Sequence, residues 1–175
     1  MHTQNVNTAA AESDKRWDEN QNIARLILDE SSRMKFIPTL FCTLQAEAMV
    51  YNWMSRNTSY QGANWNYYEI PEGIAGRVAA WTNAETKWTG YMAPDHDGQL
   101  TMSIPGNYFE SEVSPDAAGI IVTIMILNHL SWAISEMGPD YQSVVSKLID
   151  RQDALKDFVS ITNHPEAALI YRAID

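Results

Sequence analysis

Ser114-Pro115-Asp116-Ala117-Ala118-Gly119-Ile120, continued by Ile121-Val122-Thr123-Ile124-Met125-Ile126-Leu127, is the stretch that decides the fold of this chain. Ser114 is a good N-cap. Pro115 suits the first helical position, where an N–H would have no intrahelical partner, and Asp116 complements the positive end of the helix dipole. The pattern predicts a helix from Pro115 to about Glu136, stopped by Gly138-Pro139. Its residues are apolar on every side, not along one stripe, so other elements must wrap it. The longest apolar run, Ile120 to Leu127, is interrupted by Thr123 and followed by Asn128-His129, which reads as too short to span a bilayer. The expectation is a buried central helix and no membrane segment.

Downstream, an amphipathic helix is expected over roughly 140–159, with Val144, Val145, Leu148, Leu155 and Phe158 broadly on one side. The chain closes with Asn163-His164-Pro165-Glu166-Ala167-Ala168-Leu169-Ile170-Tyr171-Arg172-Ala173-Ile174-Asp175. Pro165 reads as the start of a short last helix capped by His164, with a docked C-terminus.

Upstream the pattern changes to a period of two. Gln99-Leu100-Thr101-Met102-Ser103-Ile104 alternates polar and apolar, and Tyr108-Phe109-Glu110-Ser111-Glu112-Val113 points Phe109 and Val113 inward. Pro105-Gly106-Asn107 between them is hairpin chemistry, since Gly and Asn accept positive φ. Trp65-Asn66-Tyr67-Tyr68-Glu69-Ile70 and Trp88-Thr89-Gly90-Tyr91-Met92 are further strands, the second turned by Pro94-Asp95-His96-Asp97-Gly98. Together they predict a small antiparallel meander of about four strands, and hence an α+β fold around the central helix.

Towards the N-terminus, Leu40, Leu44, Ala48 and Tyr51 recur at helical spacing from Thr39 and stop near Arg56-Asn57-Thr58-Ser59. Glu47 is the one acid inside that helix, expected to be solvated or bonded to backbone N–H. Pro38 fits a first helical turn or a break between two short helices. Asp29-Glu30-Ser31-Ser32 is rich in capping residues, and the six residues 23–28 fit either a strand or a helical turn.

At 175 residues and 45% hydrophobic composition, the chain is expected to form one domain over residues 23–175, preceded by a disordered polar arm over residues 1–22. It opens with no secretion-type leader, and a cytoplasmic location is expected. The lone cysteine, Cys42, excludes an internal disulfide framework and reads as a small hydrophobe. Twenty-two acidic residues against 12 basic ones give a net charge of −10, with the basic residues scattered. That argues against direct nucleic-acid binding, which needs clustered Lys and Arg. The acids are also too dispersed to imitate the phosphate rows of DNA.

No catalytic, cofactor or metal site stands out. The four histidines (His2, His96, His129 and His164) form no H-E-x-x-H helix and join no Cys-x-x-Cys pair. Asp95-His96-Asp97-Gly98 lacks the further ligands of a calcium loop and reads as a turn. His129 is the one histidine on a helix expected to be buried, where a ring nitrogen would be hydrogen-bonded. There is no phosphate-cradling glycine loop and no G-x-S-x-G elbow. The aromatic side chains, six Trp, eight Tyr and four Phe, concentrate in the sheet region, where one aromatic face is expected to be core; the functional alternative is that some of the opposite face forms a protein-binding patch.

These segments, in order, resemble the ArdB/KlcA antirestriction family of plasmids, phages and integrated mobile elements. Arg33-Met34-Lys35-Phe36-Ile37-Pro38-Thr39-Leu40-Phe41 is similar to the family's R-x-x-F-x-P-x-L-F. The likeness continues through Glu47-Ala48-Met49-Val50-Tyr51 and Tyr60-Gln61-Gly62-Ala63-Asn64-Trp65-Asn66-Tyr67-Tyr68. It resumes at Gly90-Tyr91-Met92-Ala93-Pro94, Ser114 to Ile120, Asn128-His129-Leu130 and the ending from His164. Cys42 departs from the family's usual Gly, Ala63 from a second Gly, and the connection over residues 71–87 is longer than the usual turn.

The resemblance implies a compact α+β fold, no enzymatic chemistry, and protection of incoming DNA from type I restriction–modification. The expected partner is the host restriction enzyme or an accessory host protein. An adaptor that inhibits another host defence system, with residues 71–87 as its contact, is the alternative. A metal-dependent hydrolase or nuclease using His129 or the Asp95-His96-Asp97 turn is a remote one. Polar residues inside the family-like motifs are the partner-surface candidates: Glu47, Asn64, Asp95, Asp116, Glu166, Arg172 and Asp175.

Overall fold

The computed structural model describes residues 23–73 and 87–175. The polar arm and most of the 71–87 connection therefore lie outside the described residues. The elements in chain order are β1 (Arg25–Leu26), α1 (Glu30–Phe41), α2 (Ala46–Asn57), β2 (Asn64–Ile70), β3 (Thr89–Asp95), β4 (Leu100–Ile104), β5 (Phe109–Val113), α3 (Pro115–Ser135), α4 (Gln142–Ile161) and α5 (Ala167–Ile174). The α+β class and the buried central helix are as expected.

The central helix is α3. Ser114 caps it, its hydroxyl oxygen accepting from the Ala117 N–H at 3.1 Å. Twelve of its 21 residues are buried, and α4, β3, α5 and α2 pack around it. Its full length is about 30 Å at 1.5 Å per residue, so the helix as a whole matches a bilayer span in length and apolarity where the run 120–127 alone does not. Two-thirds of its most apolar window is buried inside the protein, which is how a core helix meets the same criterion. Gly119 is what lets it sit so close to β3. A Cβ there would lie 2.4 Å from the Met92 carbonyl oxygen and 2.6 Å from Ala93 Cα.

The strands differ from a single meander. β1, β2 and β3 form one antiparallel sheet, whereas β4 and β5 form a separate hairpin. The edge of β3 is covered by helices. Thr123 of α3 takes the Met92 N–H at 3.3 Å, Thr89 Oγ1 donates to the Arg151 carbonyl of α4 at 2.7 Å, and Pro94 has no N–H to offer. β4 instead turns to the end of α2, where the Ser59 N–H donates to the Thr101 carbonyl at 2.9 Å. Within the hairpin the expected alternation is seen, with Leu100, Met102, Ile104, Phe109 and Val113 buried. Its left-handed residue is Tyr108 (φ 50°), while Pro105–Asn107 form a 3-10 turn.

The helix expected from Thr39 is two helices. Cys42 adopts φ 59° and ends α1, so Leu44 lies in the connection, 72% exposed, instead of on a core face. Pro38 is inside α1, not at its start or at a break, and the Thr39 hydroxyl donates to the Lys35 carbonyl at 2.7 Å beside it. Arg151 of α4 caps this helix end from afar. Its guanidinium donates to the Leu40 carbonyl at 3.3 Å and to Cys42 Sγ at 3.0 Å, and lies 5.5 Å from the centre of the Trp88 ring. Cys42 is half-buried and held by that contact.

Candidate functional site

Three of the seven partner-surface candidates line one open groove, about 750 Å³, bounded by α1, α2 and β2. Asn64 and Asp95 face each other in register at the open end of the β2–β3 ladder, both exposed. Glu47 is deeper. Its Oε1 accepts from Tyr51 at 2.8 Å and from Tyr67 at 3.2 Å, so two phenols hold the carboxylate where solvent or backbone N–H was expected. Burial raises the Tyr51 pKa far above the ordinary phenol range, and the Glu47 hydrogen bond adds to it. Burial likewise raises that of Tyr67.

Arg33 brings the opposite charge to this wall. Its Nε donates to the Ile27 carbonyl at 3.0 Å and its guanidinium lies 5.9 Å from the Tyr67 ring centre. Trp65 forms an aromatic floor, 5.3 Å from Tyr51, with its Nε1–H donating to Tyr60 Oη at 2.8 Å. Arg33 and Asp95, 62 positions apart in the chain, thus line one groove.

Asp116 and Glu166 belong to a second, tighter cluster where α3 begins and α5 docks. Ser114 donates to Glu166 twice, through its N–H to Oε1 at 2.8 Å and through its hydroxyl to Oε2. Asp116 accepts from Tyr91 Oη at 2.7 Å, and its other oxygen meets His164 Nε2 at 3.0 Å. The Glu166 N–H donates to His164 Nδ1 at 3.0 Å, which places the ring proton on Nε2. Burial, then the nearby Asp116 charge, pushes the Tyr91 pKa well up. His164 is thus more than a cap, being buried and tying α5 to the first turn of α3.

This cluster has a serine, a histidine and two carboxylates, yet the wiring is that of a clamp. A nucleophilic serine hands its proton to a base free to take it. Here the Ser114 hydroxyl serves Glu166 while its oxygen caps α3, and both imidazole nitrogens are engaged.

The remaining candidates fall elsewhere. Arg172 stacks on Phe109, 5.1 Å from the ring centre, and Asp175 ends α5 with its N–H on the Tyr171 carbonyl. His129, expected to be buried, is exposed, because α3 turns that side outward in its last turns. His96 sits in an exposed turn, Nδ1 3.4 Å from the Gly98 carbonyl. Among the described residues no three His, Cys, Asp or Glu side chains are grouped to hold a metal ion. Sequence reading missed Tyr51, although its spacing of four from Glu47 on one helix was a usable signal. Tyr91 and Arg151 carried no local signal, since their partners are 25 and more than 100 residues away.

The chain is an α+β unit wrapped around a largely buried apolar helix, and known proteins share that fold. The antirestriction protein family matches residues 76–175, and the chain belongs to that family. It is 38% identical to an antirestriction protein KlcA of Escherichia coli over 152 residues, covering 83% of this chain and 89% of that one. A second KlcA of the same species is 36% identical over 161 residues, covering 90% and 98%. A solved structure from a study of the KlcA and ArdB proteins superposes with a TM-score of 0.63 at 37% identity, covering 87% of this chain and 95% of that one. Those proteins are described as having a novel fold and antirestriction activity against Type I DNA restriction systems in vivo but not in vitro.

Proposed function

We propose that this protein protects incoming DNA from a host type I restriction–modification system, acting in the cytoplasm by protein–protein contact and without turnover. The observation that carries the reading is the likeness to KlcA and ArdB over 87% of the chain. The activity described for KlcA and ArdB in vivo but not in vitro favours an accessory host protein as the direct partner over the restriction enzyme alone. The groove edge supports contact through Glu47, Asn64 and Asp95, because these polar groups line an open groove beside Tyr51, Trp65 and Tyr67. Asp116 and Glu166 act through the clamp, holding the domain 23–175 together, while Arg172 and Asp175 support the docked end. The scattered basic residues support a mode of action without direct DNA binding.

The test is the plating efficiency of unmodified phage on a type I restricting host. Expression of the protein is expected to raise it, and His96→Ala to leave the rise intact. No rise at good expression rejects the function; loss of the rise with well-folded His96→Ala rejects the absence of chemistry.

A further inference from the structure

The two flanks of α2 are unlike. Glu47 and Tyr51 face the acidic groove, whereas Met49, Trp53 and Arg56 face a second depression of about 570 Å³ against the C-terminal half of α3. On the α3 side it is lined by Met125, Asn128, His129 and Trp132. Trp132 is 68% exposed on a helix whose other side forms the core, and Met125 and Trp53 are half-buried beside it. An indole left in solvent over a bed of methionines is what a protein-binding hot spot looks like before its partner arrives.

Charge identifies the kind of partner. The chain carries 22 acidic residues and a net charge of −10, yet no carboxylate lines this depression. Its charged member is Arg56, exposed, and among the described residues no carboxylate lies within ion-pair distance of it. Asn52, Asn57 and Asn128 supply neutral hydrogen-bonding groups around the rim. A second copy seated face to face would offer Arg56 no carboxylate from its own depression and would bring together two chains of net charge −10, which disfavours self-association.

We infer that this depression docks a segment of a partner protein carrying an apolar or aromatic anchor beside one or more carboxylates. The anchor covers Trp132 and the methionines, and the carboxylate pairs with Arg56, desolvated by the anchor beside it. This rests on the protective function proposed above and identifies a second contact face on the side of α2 away from the groove.

The test compares wild type, Trp132→Ala, Arg56→Glu, Arg56→Lys and Tyr108→Ala in the phage plating assay, with expression and thermal midpoint checked for each. Tyr108 is a control because it is 97% exposed on the hairpin turn. Trp132→Ala and Arg56→Glu are expected to cut protection at least tenfold, with Arg56→Lys and Tyr108→Ala close to wild type. Because Arg56 is an exposed residue in the last turn of α2, its variants test the face even if Trp132→Ala folds poorly. Full protection by folded Trp132→Ala and Arg56→Glu overturns the docking face while leaving the antirestriction reading in place. Absence of protection by wild type removes that reading and the face with it. A dimer in sedimentation that Trp132→Ala converts to monomer, or a labelled single-stranded oligonucleotide bound by wild type and released by Trp132→Ala, assigns the face to another occupant and overturns the inference.

Discussion

Cys42 shows how one residue's backbone shapes a whole connection. At φ 59° its Cβ is crowded against the following carbonyl, which disfavours non-glycine residues by roughly 1–2 kcal/mol. A β-branched side chain aggravates this, so Cys42→Val should destabilise by about 1–2 kcal/mol in urea denaturation. Cys42→Gly should stay within about 1 kcal/mol of wild type, since the relief is offset by the larger freedom of an unfolded glycine. Ser114→Ala removes the cap of α3 and strips Glu166 of a donor. The two losses together are expected to cost roughly 2–3 kcal/mol by the same measurement.

Tyrosines give a pH signature. Burial raises Tyr91, Tyr51, Tyr67, Tyr68 and Tyr171 above the ordinary value of 10.0. A raised pKa means the folded state binds the phenolic proton more tightly than the unfolded chain. The stability linked to it is complete below pH 10 and is lost as the pH rises above it. Denaturation midpoints should hold from pH 7 to 9 and fall beyond 10. Free titration of these tyrosines at pH 10 in the folded protein, read from phenolate absorbance, would contradict the packing around them.

Among the elements, α3 and β3 show which of two opposed effects wins. Alanine is a better helix former than glycine by about 1 kcal/mol, so Gly119→Ala would stabilise an isolated helix. Here the added methyl meets the β3 backbone at 2.4 Å, and backbone cannot swing aside as a flexible side chain can. The clash prevails, and Gly119→Ala should destabilise by about 3 kcal/mol. The C-terminal helix is a second test. α5 buries Ile170 and Ala173, accepts from Asn107 at the Ala173 carbonyl (2.7 Å), and places Tyr171 Oη 2.6 Å from the Lys156 carbonyl. A chain ending at Pro165 should melt of order 10 °C lower in calorimetry, because several kcal/mol of burial and clamp contacts go with it.

What could be read at this scale followed local physics. The Ser114 cap, the apolar circumference of α3 and the alternation of β4 and β5 are written in neighbouring residues, and the structure places them as expected. The break at Cys42 was masked because Leu40, Leu44 and Ala48 keep helical spacing across it. The split of the sheet depends on Thr123 and Arg151 reaching β3 from helices far along the chain, which no period in the strands records.

For the molecule as a whole, the candidate residues were legible as members of motifs but not as groups. Only the fold gathers Glu47, Asn64 and Asp95 at one groove and separates them from Asp116 and Glu166 in the clamp. His129 is exposed although its helix is apolar all round, because the last turns of α3 leave Asn128, His129 and Trp132 in solvent. That outward strip and the acidic groove are the two faces proposed to meet a partner.

The most direct measurement is the plating ratio of unmodified phage on a type I restricting host and on its isogenic non-restricting counterpart, followed across a range of expression levels. The ratio should climb with the amount of folded protein towards the non-restricting value, and the non-restricting host should be unaffected. A ratio that stays flat at full expression of folded protein would contradict the proposed protection.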